Sequence, residues 1–390
     1  MKRKIIISGG GIGGLTAAKL LYQQGHQVTV LERNSTFNKS GFLISLKSFG
    51  ISIMDELGLT AQLRKASSPS AYVNFRESNN EIIRGISYEK MNEHIERSIL
   101  ITRGGLHHVL YEDVKENIDI RFSSSIEKLE KNECGIKITL KGGKEIEADL
   151  LIISEGLRSP TRQKYFSESV LVDFNVLYMG GRLKEHHGRE VGRFDIYIDV
   201  NKMLSIYPIA HDEIAIQCYI NYQGDLNSMR DNAKELLSTS FQNYNQDIQH
   251  ILNRFMANGT MFMDKMGMVE APNLVEGNVV LLGDAGYCPT ALSGMGASLS
   301  IYGAKALSHF INETPNDLKK ALDNYNSIMQ PIIRKFQGNA KNNAASFIPS
   351  EQESLKRFVK SFRAASDVEM QQVMTAPIVL TADQITFKVS

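Results

Sequence analysis

The chain opens with a short apolar run, KIIIS at residues 4–8, closed by the glycines of SGGGIGG, after which residues 15–24 place apolar positions at helical spacing. HQVTVLER then reads as a second strand. Together these segments predict one strand–helix–strand unit with a right-handed crossover. Residues 72–86, YVNFRESNNEIIRGI, alternate about Asn79-Asn80 and predict a hairpin belonging to another sheet. Helical spacing returns in RGGLHHVLYEDVKENI, and GIKITLKGGKEIEADLLIIS predicts a hairpin followed by a buried strand. Between residues 170 and 265, segments such as FDIYIDV and EIAIQCYI alternate apolar with polar positions, the pattern of an antiparallel sheet with one wet face. After Pro272 the fully apolar NVVLLG resumes the style of the first strand, so the first sheet is expected to be assembled from separated pieces of chain. Residues 305–345 read as helical. Leu355, Phe358, Val359 and Phe362 then share one helical face, with Lys356, Arg357, Lys360 and Arg363 on others, which predicts a helix packed across the other domains rather than one lying on a membrane.

Length and charge narrow the possibilities. At 390 residues the chain exceeds what one core serves, so two or three domains are expected. Its 44 basic and 43 acidic residues leave a formal charge of +1, and without a long basic stretch nucleic acid is not an expected partner. Cys134, Cys218 and Cys288 lie far apart with no CxxC spacing, which argues against a disulfide framework or a structural zinc site and for a reduced, cytoplasmic setting. MKRKIII breaks at once into glycines, and no apolar run is long enough to span a bilayer, so a soluble monomer without a membrane partner is expected.

Candidate chemistry begins at the first glycine turn. Gly9, Gly11 and Gly14 satisfy GxGxxG between a strand and a helix: the first for a tight turn, the second for backbone approach to a pyrophosphate, the third for helix–strand packing. Glu32, at the end of the second strand, can accept hydrogen bonds from ribose hydroxyls, and such an acid favours a free 2′-hydroxyl. Arg33 follows it and can reach the adenine or a phosphate. A second glycine-rich loop, GDAGYCPTALSGMG at residues 283–296, has neither GxGxxG nor a ribose-binding acid, so it is not a second complete nucleotide site. Asp284 at its strand end can bind a ribityl or ribose hydroxyl, and a helix starting near Gly294 would aim N–H groups at an anion. The pairs His107-His108 and His186-His187 have no carboxylate at ligand spacing and are read as structural or solvated, with no metal expected.

The GxGxxG with Glu32, the arginine of ITRGGL at Arg103, the stretch DLLIISEGLRSPTR and the loop GDAGYCPTALSGMG occur in this order over nearly three quarters of the chain. In this the sequence resembles the class A FAD-dependent monooxygenases of the hydroxybenzoate-hydroxylase type, and within them the tetracycline-inactivating branch. The resemblance implies one long FAD gripped by both loops. It implies an α/β, Rossmann-like FAD-binding domain formed by residues 1–71, 100–168 and 268–345, an inserted antiparallel-sheet substrate domain formed by 72–99 and 169–267, and a C-terminal bracing helix and tail at 346–390, the helix itself matching 351–374.

It further implies that NADPH or NADH reduces FAD, that O2 reacts with the reduced flavin, and that an aromatic or polycyclic molecule, tetracycline-like antibiotics included, receives an oxygen atom between the flavin and the sheet, near SIYPI or the hairpin. No side-chain nucleophile is required. Pro289, Gly294 and Gly296 would shape the flavin face and stabilise charge on the reduced ring. Arg103 would contact FAD phosphate or ribityl oxygens, Asp284 and Gly283 the sugar-alcohol portion, and Glu155 and Gly156 would take the place of the family's Asp-Gly. Glu155 is one methylene longer than that aspartate, which leaves the choice of reductant open. Ser45 stands where an acid near the flavin would align, and Lys47 either retains a basic contact or is a solvated lysine. A FAD-dependent reductase or oxidase of the same fold and a non-catalytic flavoprotein sensor are the competing readings. The absence of tryptophan disfavours a flavin halogenase.

Overall fold

The computed structural model describes residues 1–37, 43–87, 98–132, 135–290, 293–370 and 380–388. Cys134 lies outside them, as does most of the chain beyond residue 370.

Strand Lys4–Ser8 is central to a six-stranded sheet. It pairs in parallel with Gln27–Leu31 on one side and Leu150–Ile153 on the other. The order across the sheet is Val275–Glu276, Val279–Leu281, Leu150–Ile153, Lys4–Ser8, Gln27–Leu31, Asp119–Arg121. Only the Val275–Glu276 edge runs antiparallel. Ile5, Ile6, Ile7 and Leu150 through Ile153 are almost wholly buried, as a parallel sheet covered on both faces demands. The helices Ile12–Gln23 and Gly296–Glu313 pack directly on one another over this sheet. Burying side chains of this size contributes about 1.5–3 kcal/mol each.

A seven-stranded sheet takes the order Thr260–Glu270, Val170–Lys184, Glu213–Asn221, Lys202–Ala210, Arg193–Asp199, Tyr72–Glu77, Ile82–Ser87. The hairpin expected at 72–86 forms as Tyr72–Glu77 and Ile82–Ser87, with Asn80 at φ 76° in the turn. It enters the sheet through a parallel pairing with Arg193–Asp199, so the sheet is not purely antiparallel. Three helices, Leu226–Arg230, Ala233–Ser240 and Gln246–Asn258, interrupt the strand-rich stretch. Their apolar sides bury Leu237, Ile248 and Phe255 against Leu177, Leu204 and Ile216, which closes one face of the sheet.

The helical pattern at 305–345 resolves into two helices. Gly296–Glu313 ends before Asp317, whose side chain accepts from the Lys320 amide and starts Leu318–Phe347, a helix with Pro331 inside it. The helix expected over 351–374 spans Gln352–Ala364, and Ala365 is already extended. Its Val359 joins Val73, Phe75 and Ile86 in one apolar cluster that also takes in Leu43 and Leu100, so it seats against the hairpin and the strands leading toward the six-stranded sheet. Among the described residues no helix is long and apolar enough to cross a membrane.

Candidate flavin site

Where Lys4–Ser8 ends, the Gly9 amide donates to Leu31 O at 2.8 Å and turns the chain. A Cβ on Gly14 would sit 2.0 Å from Gly9 O, so only glycine lets the Ile12–Gln23 helix lie this close to the turn. A Cβ on Gly11, which caps that helix, would meet no atom within 4 Å. The space over Gly11 is the mouth of a cleft toward which the helix's unsatisfied N–H groups point.

Glu32 lies at the edge of this cleft, its Oε2 accepting from the Gly10 amide at 3.0 Å and its Oε1 from the Asn34 amide at 2.9 Å. Arg33 is exposed beside it and also lines the cleft. The opposite wall comes from the helix Arg103–Val114, whose cap Thr102 accepts from the Gly105 amide at 3.0 Å. Arg103 and His107 are one turn apart and both face the cleft. His107, expected to be structural or solvated, has Nε2 2.5 Å from Gly10 O, so it holds the carbonyl of the glycine turn itself. Phe37 stacks on Tyr111 at 4.3 Å and tilts against His107 at 4.6 Å. The i, i+4 relation of His107 to Arg103 was the sequence signal for its place; nothing local pointed to Phe37.

The side chain of Glu155, expected at the cofactor, is occupied within the protein. Its Oε1 accepts from Ser8 Oγ at 2.6 Å and Thr161 Oγ1 at 2.7 Å; its Oε2 accepts from Ser159 Oγ at 2.6 Å and the Thr161 amide at 3.1 Å. The extra methylene reaches across to the first strand, which makes this carboxylate a brace under the cleft. Gly156 follows at φ 84°, and a Cβ there would point into open space. Buried Arg162 ties this turn to the second loop through Leu157 O at 2.9 Å and Ala285 O at 3.1 Å.

In the second loop Gly283 (φ 65°) and Gly294 (φ 61°) adopt left-handed backbone, and Asp284 opens the short helix Asp284–Tyr287. The long helix expected near Gly294 begins at Gly296. A Cβ on Gly296 would lie 3.4 Å from Asp284 Oδ1 and 3.9 Å from Pro289 Cδ, so these three residues converge at one helix N-terminus. Burial pushes the Asp284 carboxyl above the usual carboxylate range, while the Arg103 guanidinium and the Cys288 thiol pull the other way. Burial likewise raises the Cys288 thiol, in keeping with a packed rather than a redox-active cysteine. Lys47 does not line the first-loop cleft but stands against the first turn of the second-loop helix. Its amide donates to Ser298 Oγ at 2.9 Å, joining the start of the Ser48–Glu56 helix to the second-loop helix, and Ser45 pairs with Leu100. Among the described residues no cluster of three metal-ligating side chains exists.

A dinucleotide fits this arrangement: a glycine cradle open over Gly11, a helix N-terminus behind it, an acid at the edge of the cleft, and a second glycine loop whose Asp284 feels the charge of Arg103. The comparisons agree. The sequence matches the FAD-binding domain family over residues 2–340. A flavin-dependent monooxygenase from an unknown prokaryotic organism is 24% identical over 375 residues, covering 92% of this chain and 93% of its own. Another flavin-dependent monooxygenase, from Legionella longbeachae, is 24% identical over 337 residues, 85% and 86% of the two chains. Among solved structures, HpxO of Klebsiella pneumoniae, complexed with FAD and uric acid, aligns with a TM-score of 0.83 at 20% identity, covering 98% of this chain and 97% of that one. The tetracycline destructase Tet(51) aligns at 0.81 and 19% identity, covering 98% and 100%.

This chain therefore belongs to the FAD-binding domain family. Its class is that of the class A flavin-dependent monooxygenases, oxidoreductases whose cofactor is FAD.

Proposed function

We propose that the protein uses NADPH or NADH and O2 to hydroxylate an aromatic or polycyclic small molecule. Bound FAD supplies the redox chemistry and the activation of O2. The protein's part is binding, orientation and electrostatics. Gly9, Gly11, Gly14 and the helix behind them hold the pyrophosphate, Glu32 the ribose, and Arg33 the adenosine end. Asp284 with Gly283 orients the sugar-alcohol portion. Pro289, Gly294 and Gly296 border the flavin ring, and the Gly296 helix N-terminus favours negative charge developing there.

The observation that carries this reading is the position of Arg103. It lines the first-loop cleft and also acts on the charge of Asp284 in the second loop, so one extended anionic cofactor explains both. We read residues 1–71, 100–168 and 268–345 as the FAD-binding part, 72–99 and 169–267 as the substrate part, and 346–390 as their C-terminal cover. Tetracycline-like antibiotics are members of the proposed substrate class, a reading supported by the likeness to the destructases. A cytoplasmic setting accords with the free thiols of Cys218 and Cys288.

The test is oxidation of NADPH and of NADH by the FAD-loaded protein under 18O2, with and without tetracycline and simpler ring compounds. Substrate-stimulated oxidation with one labelled oxygen in the product is expected. Stoichiometric hydrogen peroxide with every compound and no labelled product would move the protein to the oxidases.

A further inference from the structure

Among the largest wholly buried side chains of the described residues one carries a charge: Arg162, 1% exposed. A guanidinium taken out of water is ordinarily matched by a carboxylate, because burial without a counter-charge is costly. Here it is not. Arg162 Nη1 donates to Leu157 O at 2.9 Å and to Ala285 O at 3.1 Å, its Nε is buried without a hydrogen-bond partner, and it forms no ion pair among the described residues. Two carbonyls orient the group; they do not neutralise it.

The acid whose charge it feels is Glu155, and both oxygens of that carboxylate are taken by Ser8, Ser159 and Thr161. Glu155 therefore offsets part of the positive charge without closing on it. Burial pulls the Arg162 pKa down, which is the cost of carrying a charge there, yet a guanidinium stays protonated in a protein.

The place of the charge gives it a use. Ala285 follows Asp284 in the second loop, and the Cys288 thiol, next to Pro289, also feels the Arg162 charge. The loop is pinned at that point to the neighbouring sheet, the Val269 amide donating to Cys288 O at 3.1 Å. Arg162 is thus a fixed cation set against the loop whose Pro289, Gly294 and Gly296 would border the flavin. Arg103, by contrast, is exposed, so water weakens its field until a ligand covers it.

In the protein interior a charge acts over several ångströms, and what it favours depends on the charge that forms beside it. The ring of oxidised flavin is neutral. Two electrons and one proton leave it with one negative charge, the electrons coming from the nicotinamide in turnover and from dithionite in the test below.

We propose that Arg162 tunes the flavin from a distance: its buried charge favours the reduced, anionic ring over the oxidised, neutral one, and so raises the reduction potential of FAD in this protein. This rests on the reading that FAD lies along the second loop, and deepens it by naming the residue that sets how readily the cofactor accepts electrons.

The test is equilibrium reduction of the FAD-loaded protein by dithionite beside a reference dye, for the parent, Arg162→Gln, Arg162→Lys and Glu155→Gln, with FAD content and thermal melts recorded for each. Arg162→Gln keeps a donor for the carbonyls and drops the charge. Its preference for reduced over oxidised FAD should fall about tenfold, which is about 30 mV for a two-electron couple. Arg162→Lys keeps the charge and should stay within about threefold of the parent. Glu155→Gln removes the offsetting anion and should move the same ratio upward, by roughly 2- to 10-fold. A residue that only joined the two loops would cost stability and FAD affinity without sending the two potentials in opposite directions. A parent-like potential in Arg162→Gln, or shifts of one sign in Arg162→Gln and Glu155→Gln, would overturn the assignment. Should Arg162→Gln fail to accumulate, Glu155→Gln decides alone, and an unchanged or lower potential overturns it. Opposite shifts without any oxygenated product under 18O2 would leave it standing and sink the monooxygenase reading instead.

Discussion

Ser8 and Glu155, 147 positions apart in sequence, are joined by a hydrogen bond of 2.6 Å from the serine hydroxyl to the carboxylate. It ties the end of the central strand to the turn that carries Gly156, and the same carboxylate takes three further donors from Ser159 and Thr161. Glu155→Gln turns an acceptor-only group into one that also donates, so at least one hydroxyl is left mismatched. A stability loss of about 1–3 kcal/mol is expected. Glu155→Asp, one methylene shorter, should lose the Ser8 bond first. Chemical denaturation of the two variants beside Ser8→Ala checks this: the Asp and Ala losses should overlap rather than add.

Two glycines of the first turn should respond in opposite ways. Gly14→Ala drives its methyl into Gly9 O and should prevent the folded, yellow protein from accumulating. Gly11→Ala meets nothing in the protein and should leave apoprotein stability within about 0.5 kcal/mol of the parent, while FAD affinity falls. Thermal melts of apoprotein and titration with FAD separate the two effects.

His107 holds the Gly10 carbonyl at 2.5 Å. His107→Leu removes that donor, and FAD should bind roughly 2- to 10-fold more weakly, the equivalent of one ordinary hydrogen bond. His107→Gln, which keeps a donor, should recover part of the loss. Equal affinities for parent and Leu variant would reduce His107 to a packing residue.

Asp284 has its folded-state pKa raised by burial, so the folded apoprotein binds its proton more tightly than the unfolded chain does. Stability from this group is fully present below the unfolded value and is lost as pH rises through the folded one. Asp284→Asn should therefore flatten the fall in apoprotein stability between acid and neutral pH, and at pH 7 should be no less stable than the parent. In the FAD-loaded protein the same change should weaken cofactor binding, since the amide replaces one acceptor oxygen with a donor. Melting curves across pH with and without FAD test both signs.

Much of the cofactor half was legible because its constraints are local. The order of Gly9, Gly11, Gly14 and Glu32 follows from how a strand, a tight turn and a helix must meet, and Arg103 and Asp284 sit at element ends where backbone pattern announces them. Glu155 was visible, but its direction was not: that depended on Ser8 and Thr161, contacts that only the tertiary fold creates. The contact of the Lys47 amide with Ser298 was hidden for the same reason, since Ser298 comes from a helix far along the chain. The helices within 226–258 were hidden inside a stretch scanned for alternation, although Ile248, Ile251, Leu252 and Phe255 carry plain helical spacing. The burial of Arg162 was beyond sequence reasoning, because one of the two carbonyls that hold it, Ala285 O, comes from the second loop.

The strand order of the six-stranded sheet also governs how the chain can be made. Lys4–Ser8 finds Gln27–Leu31 almost at once, but its other edge waits for Leu150–Ile153, whose own outer edge waits for Val279–Leu281. During synthesis Leu150–Ile153, apolar throughout, therefore stands with a bare edge until much of the chain has left the ribosome. Low temperature, slow translation and chaperone supply, more than any change to the site, should decide how much active protein a cell yields.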